Sequence, residues 1–147
     1  MRSSLRIGGT LLVVLVLGAA CSKGKSSSTE GSGGGGGKIT IGSDSANDHG
    51  TKAVSGGTFE LEADNDGGEF YFNPTILTGK AGQKVKLEVK NEGDTKHNFT
   101  IEDQKINADI DPGKTADVTV TFPKSGVVEF FCEYHRSRGM AGELKVS

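Results

Sequence analysis

The 147-residue chain has no tryptophan, three prolines, three histidines and only two cysteines. Each shortage removes a class of protein. One cysteine, Cys21, lies at the end of an export-signal pattern, which leaves Cys132 without an internal disulfide partner. No apolar stretch reaches the roughly 20 residues that a helix needs to span a bilayer. The 17 lysines and arginines are outnumbered by 19 acids and form no basic stripe, which excludes a nucleic-acid partner. No segment holds a helical period over about ten residues, so a helical bundle is excluded too. No Ser–His–Asp or paired-carboxylate arrangement stands out from the scattered acids.

The first twenty residues do not belong to a fold. Arg2 and Arg6 precede an apolar or small-residue stretch over residues 7–20, long enough for a signal-peptide core and too short for a membrane span. It ends Leu17-Gly18-Ala19-Ala20-Cys21, which resembles a bacterial lipoprotein signal, in which a cysteine directly after the cut is acylated. Residues 22–37 are rich in Ser, Gly and Lys, with glycine at 33 through 37. Such a segment cannot bury apolar surface, and as a flexible coil it reaches roughly 20–24 Å. The expected organisation is therefore a signal over 1–20, a lipidated Cys21 with a tether to residue 37, and one domain over 38–147. Removal of Arg2 and Arg6 with the signal leaves 15 basic and 19 acidic residues, a net charge of −4.

The domain reads as strands between turns. Residues 58–62, 85–89 and 118–122 alternate apolar and polar side chains, the period of a strand with one buried face. Further strands are expected over 70–72 with 76–77, 98–102, 127–131 and 141–146. Turn residues fall at 79–82, 91–94, 111–113 and 123–126. Seven or eight short strands at this spacing predict an all-β, antiparallel Greek-key sandwich. Residues 39–41 are a further candidate strand, and 43–50 read as a polar loop.

Chemistry concentrates near the carboxyl end. Cys132, His135 and Met140 stand in a Cys-x2-His-x4-Met loop between the expected strands 127–131 and 141–146, and His97 opens the strand over 98–101. A thiolate, two imidazoles and a thioether are the donor set of a mononuclear electron-transfer copper site. The thiolate accepts Cu(II) and the thioether favours Cu(I), so one geometry serves both oxidation states. A structural zinc site would use more Cys or His and has no use for a thioether. A dinuclear copper centre would need a second cysteine in the loop. Glu133 is expected to face solvent rather than bind metal. His49, near Asp44 and Asp48, reads as a solvated loop histidine, with a second metal site as the alternative. With four protein ligands no position is left open for substrate, which argues against catalysis.

These motifs resemble the cupredoxins of the plastocyanin and pseudoazurin type. The resemblance runs from about residue 72 to 146 and includes Asn73-Pro74-Thr75-Ile76, Ala81-Gly82-Gln83-Lys84-Val85, His97-Asn98-Phe99 and the ligand loop followed by Ala141-Gly142-Glu143-Leu144. It implies one copper ion held by His97, Cys132, His135 and Met140, with Asn98 offering hydrogen bonds that hold the ligand loop and tune the thiolate. It also implies that His135 is the electron port. Arg136 and Arg138 lie just beyond it and would bias docking toward redox partners that are acidic around their own centre. Related loops usually carry proline before the second histidine, where this chain has Glu133-Tyr134. The function so implied is a blue-copper electron carrier, monomeric, extracytoplasmic and anchored to a bacterial membrane through Cys21. A copper-storing or copper-delivering protein of the envelope is the alternative, disfavoured by the scarcity of Met and His.

Overall fold

A computed structural model describes residues 36–147; the expected signal, the lipidation site Cys21 and all but the end of the tether lie outside the described residues. Twelve strands make up this part: β1 Gly37–Ile41, β2 Asp44–Asp48, β3 Thr51–Ala53, β4 Thr58–Asp64, β5 Tyr71–Asn73, β6 Ile76–Gly79, β7 Lys84–Asn91, β8 His97–Ile101, β9 Ile106–Ile110, β10 Thr115–Thr121, β11 Val127–Phe131 and β12 Ala141–Val146. The only helical pieces among the described residues are two 3-10 turns, Glu102–Gln104 and Arg136–Arg138.

Two sheets face each other, one of four strands in the order β10-β7-β4-β5 and one of six in the order β3-β6-β12-β11-β8-β9. The fold is the expected all-β sandwich. Its pairing is mixed rather than wholly antiparallel, because β4 runs parallel to β7 and β6 runs parallel to both β3 and β12.

The alternation of β7 shows why the sandwich closes. Val85, Leu87 and Val89 are buried at every second position while Lys84 and Lys86 face water. Leu61 and Ala63 of β4, Phe72 of β5 and Val120 of β10 join them from the same sheet, and Leu77, Phe99, Ile101, Phe130 and Leu144 meet them from the other. Phe72 packs edge-on against Phe99 and Phe130, at ring separations of 5.9 and 5.2 Å. Gly142 makes the crossing of β12 over this cluster possible: a Cβ there would lie 2.3 Å from the Thr75 carbonyl and 2.4 Å from the Phe130 ring.

Residues 43–50 are not the expected loop. Asp44–Asp48 pairs antiparallel with Gly37–Ile41 as a hairpin. It escapes the sequence pattern because it buries only Ala46 and Asn47, and so shows no apolar alternation. The hairpin brings Ile41 and Ala46 against Phe131 and Ala141, forming a small second core. Successive side chains of a strand point to opposite faces, so Phe130 serves the main core and Phe131 the hairpin. Strand β1 takes in the candidate over 39–41, and β2, β3 and β9 are the strands beyond the expected set.

Candidate metal centre

The site grows out of one end of the main core, and Cys132 and Met140 are themselves members of that cluster with no exposed surface. Strand β11 carries the chain inward to Cys132, and β12 carries it away after Met140. The nine residues 132–140 fold back on themselves. The Cys132 N–H donates to the Met140 carbonyl at 3.0 Å, the Met140 N–H to the His135 carbonyl at 3.2 Å, and the His135 N–H to the Cys132 carbonyl at 3.1 Å. A 3-10 turn over Arg136–Arg138 closes at Gly139, whose φ of +97° is a conformation that favours glycine.

His97 arrives from β8, which is buried along its whole length between β9 and β11. Its Nδ1 lies 3.3 Å from Nδ1 of His135, and that nitrogen lies 3.5 Å from Cys132 Sγ. Ligand atoms of His97, Cys132 and His135 all fall within 4.8 Å of one another, the only such cluster of His, Cys, Asp and Glu among the described residues. Two nitrogens each about 2 Å from one ion are expected at about the separation seen here. The donors fit copper: a soft thiolate and two imidazoles converge on one point, with the Met140 thioether buried in the same cluster. His97, Cys132, His135 and Met140 form a type 1 copper site.

Burial shapes the ligands' protonation. Desolvation first, and then the neighbouring His135, hold His97 down to about 4. Desolvation and, after it, the Arg138 charge lower His135. Both rings therefore stay neutral and able to bind metal near neutral pH. Burial raises the Cys132 thiol, against the pull of N–H groups from Asn98, Tyr134 and His135 directed at the sulfur. Those N–H groups stabilise a thiolate once a cation is present to balance it.

Asn98 contributes more than its main chain. Its Oδ1 accepts from the Thr100 hydroxyl at 2.5 Å, and its Nδ2 donates to Asn107 at 2.8 Å and to Asp109 at 3.2 Å. Asn107 and Asp109 also hold the two residues that stand where related loops have proline. Asn107 Nδ2 donates to Glu133 Oε1 at 2.9 Å, and the Tyr134 hydroxyl donates to Asp109 Oδ1 at 2.8 Å. Glu133 thus points to β9 rather than to the metal position. Lys96 adds an ion pair to Asp109 at 2.6 Å.

The other flank of the loop rests on the hairpin. Asn47, buried to 2 % exposure, donates from Nδ2 to the Phe70 carbonyl at 2.8 Å and to the Arg138 carbonyl at 3.1 Å. Its main-chain N–H reaches the Gly139 carbonyl at 2.9 Å. Arg136 pairs with Asp44 at 2.5 Å and Glu129 at 3.5 Å and lies over the Phe131 ring. Arg138 instead stacks over Phe70, 3.9 Å from its centroid, with no carboxylate partner among the described residues. Sequence reading missed Asn47, Asn107 and Asp109; the Ile106-x-Ala108-x-Ile110 alternation was the available signal for β9.

His49 lies apart from this cluster and is not a solvated loop residue. It is half-buried, stacks on Tyr71 with centroids 3.5 Å apart, and its N–H donates to the Thr75 hydroxyl.

A family model described as a cupredoxin-like domain matches residues 11–146. Plastocyanin A/B of Petroselinum crispum is 29% identical over 100 residues, covering 60% of this chain and 99% of that protein. The copper-resistant cuproprotein CopI of Pseudomonas aeruginosa is 25% identical, covering 54% of this chain and 72% of that one. Among solved structures, the reduced auracyanin of the photosynthetic bacterium Roseiflexus castenholzii superposes with a TM-score of 0.52 at 20% identity, covering 64% of this chain and 98% of its own.

Proposed function

The chain belongs to the cupredoxin-like domain family, and from that premise we propose that it is a one-electron carrier of the bacterial cell envelope. The observation that carries this reading is the convergence of His97, Cys132 and His135 donor atoms at the rim of a buried core. Copper bound there would supply a Cu(I)/Cu(II) couple. The chain's own part is to present donors that suit both oxidation states and to hold them rigid, which keeps rearrangement on electron transfer small. Three features supply the rigidity: the self-bonded loop, the all-buried β8, and flanks tied to β9 and to the hairpin. The protein's relation to plastocyanin supports a carrier rather than an enzyme.

In this reading Cys21 is lipidated and residues 22–37 tether a monomeric domain outside the cytoplasm, anchored to the membrane. His135 is the half-buried ligand, and Arg138 stands beside it without a carboxylate partner among the described residues. Docking to an acidic redox partner therefore rests on Arg138, while Arg136 spends its charge on Asp44 and Glu129. Absorption and paramagnetic-resonance spectra of the protein loaded with Cu(II) test the reading. An intense blue thiolate-to-copper band with narrow copper hyperfine splitting is expected; a colourless protein that binds only Cu(I) would overturn it.

The likeness to a copper-resistant cuproprotein favours a second reading, copper storage or delivery. It predicts rapid copper loss to a chelator and no reversible redox couple, the reverse of what a carrier shows.

A further inference from the structure

His97 presents Nδ1 toward the metal position, which leaves Nε2 pointing away, and the atom it meets is Oδ1 of Asn65, 3.3 Å distant. Asn65 follows the last residue of β4, so this contact joins the four-stranded sheet to a ligand carried by the other. We propose that Asn65 is a positioning residue of the copper site: its side-chain oxygen fixes the tautomer and ring plane of His97 and sets how strongly that imidazole donates to the metal.

The orientation of the amide is fixed by its other partners. Asn65 Nδ2 donates to Asp94 Oδ1 at 2.6 Å, so the oxygen must face the opposite way. There it accepts from the Asp94 N–H at 3.1 Å, the Thr95 hydroxyl at 3.2 Å and the Thr95 N–H at 3.4 Å. Only with the oxygen in this place can all these donors be met, and the same oxygen is then presented to His97. Gly93 permits the approach, since a Cβ there would stand 2.0 Å from Asn65 Oδ1. A ligating histidine generally donates its second N–H to an oxygen, which selects the tautomer that binds metal and raises its basicity. Here the oxygen is neutral and already shared among several donors. It therefore polarises the imidazole less than a carboxylate would, and Cu(II), the form more dependent on strong donation, is less favoured.

The inference rests on the copper reading of this site, and its test is divided so that the two fail separately. Proton–nitrogen correlation spectra of the metal-free protein report the His97 tautomer whether or not copper is carried. The Nε2–H form is expected in the native protein, with a mixture of tautomers in Asn65→Ala. In the copper-loaded protein Asn65→Asp is expected to raise the preference for Cu(II) over Cu(I) about tenfold, a fall in midpoint potential of about 59 mV for one electron. Asn65→Ala is expected to weaken copper binding about 10- to 100-fold. Because Asn65 also braces the turn at Gly93–Thr95, Thr95→Val serves as the control. It removes one donor from Oδ1 and leaves the contact with His97, so tautomer and potential should stay native. An unchanged tautomer in Asn65→Ala with an unchanged potential in Asn65→Asp would overturn the proposal. So would a Thr95→Val protein that reproduces the shifts, because Asn65 would then act only through the turn.

Discussion

His97 and His135 offer the same atom to the same point and live in different surroundings. His97 is fully buried and set by a strand that is paired on both sides. His135 is half-buried and set by a loop, with the Phe70 ring 4.2 Å away on one side and Arg138 nearby. One ligand is placed by the packing of the sandwich. The other is placed by a loop that closes on itself and then leans on two neighbours. Such a division suits a carrier, because the buried ligand gives rigidity and the outer one brings the site close to a partner.

Replacing each histidine by glycine should break the pair apart most visibly. Both variants are expected to lose the intense blue absorption. Added imidazole should restore it in His135→Gly, whose vacated position lies toward the surface, and should fail in His97→Gly, where the core seals the gap. Equal rescue of the two, followed by visible titration with imidazole, would show that burial does not separate them.

Acid should act on His97 next. In the unfolded chain its imidazole takes a proton near the ordinary 6.5, whereas in the folded metal-free protein it resists until about 4. Folding is thus fully supported above 6.5, loses stability as the pH falls from 6.5 to 4, and gains no further loss from this group below that. The expected loss is about 3 kcal/mol, read from denaturant unfolding of metal-free protein across that range. His97→Gln should flatten the slope.

Gly142→Ala tests the packing of β12, the strand that follows the ligand loop, against β11. The new methyl would meet the Thr75 carbonyl and the Phe130 ring, so a cost of about 1–3 kcal/mol in unfolding free energy is expected from overpacking. Tyr134→Phe should have the smallest effect. It removes only the exposed hydroxyl bond to Asp109, and its melting temperature should move less than that of Gly142→Ala. Its value lies in the spectrum: a change in copper hyperfine splitting would show that the β9 contact holds the loop in place of a proline.

The strands that alternate were open to sequence reading, and so were the ligands. Val85, Leu87 and Val89 declare a buried face by spacing, and 127–131 and 141–146 coincide with β11 and β12. Strand β2 was hidden because polar Asp44-Ser45 and Asn47-Asp48 flank a single Ala46. Its pairing partner and the Phe131 face it covers are known only in three dimensions. The same holds for Arg136 and Arg138, two positions apart in sequence and alike in charge. One is neutralised by Asp44, 92 residues away, and the other lies free over an aromatic ring. Local pattern carries no record of such distant partners.

The amino-acid sequence by itself determined the donor set, its division between one loop and one strand end, and the all-β class, because ligand chemistry and strand period are properties of residue type and spacing. Tertiary structure alone decided what surrounds those donors. It set Asn65 behind His97, β9 beneath Glu133 and Tyr134, and Asn47 beneath Arg138 and Gly139. The physical reason is that hydrogen bonds and burial depend on which faces meet when two sheets and a hairpin pack. Those meetings join residues that are tens of positions apart.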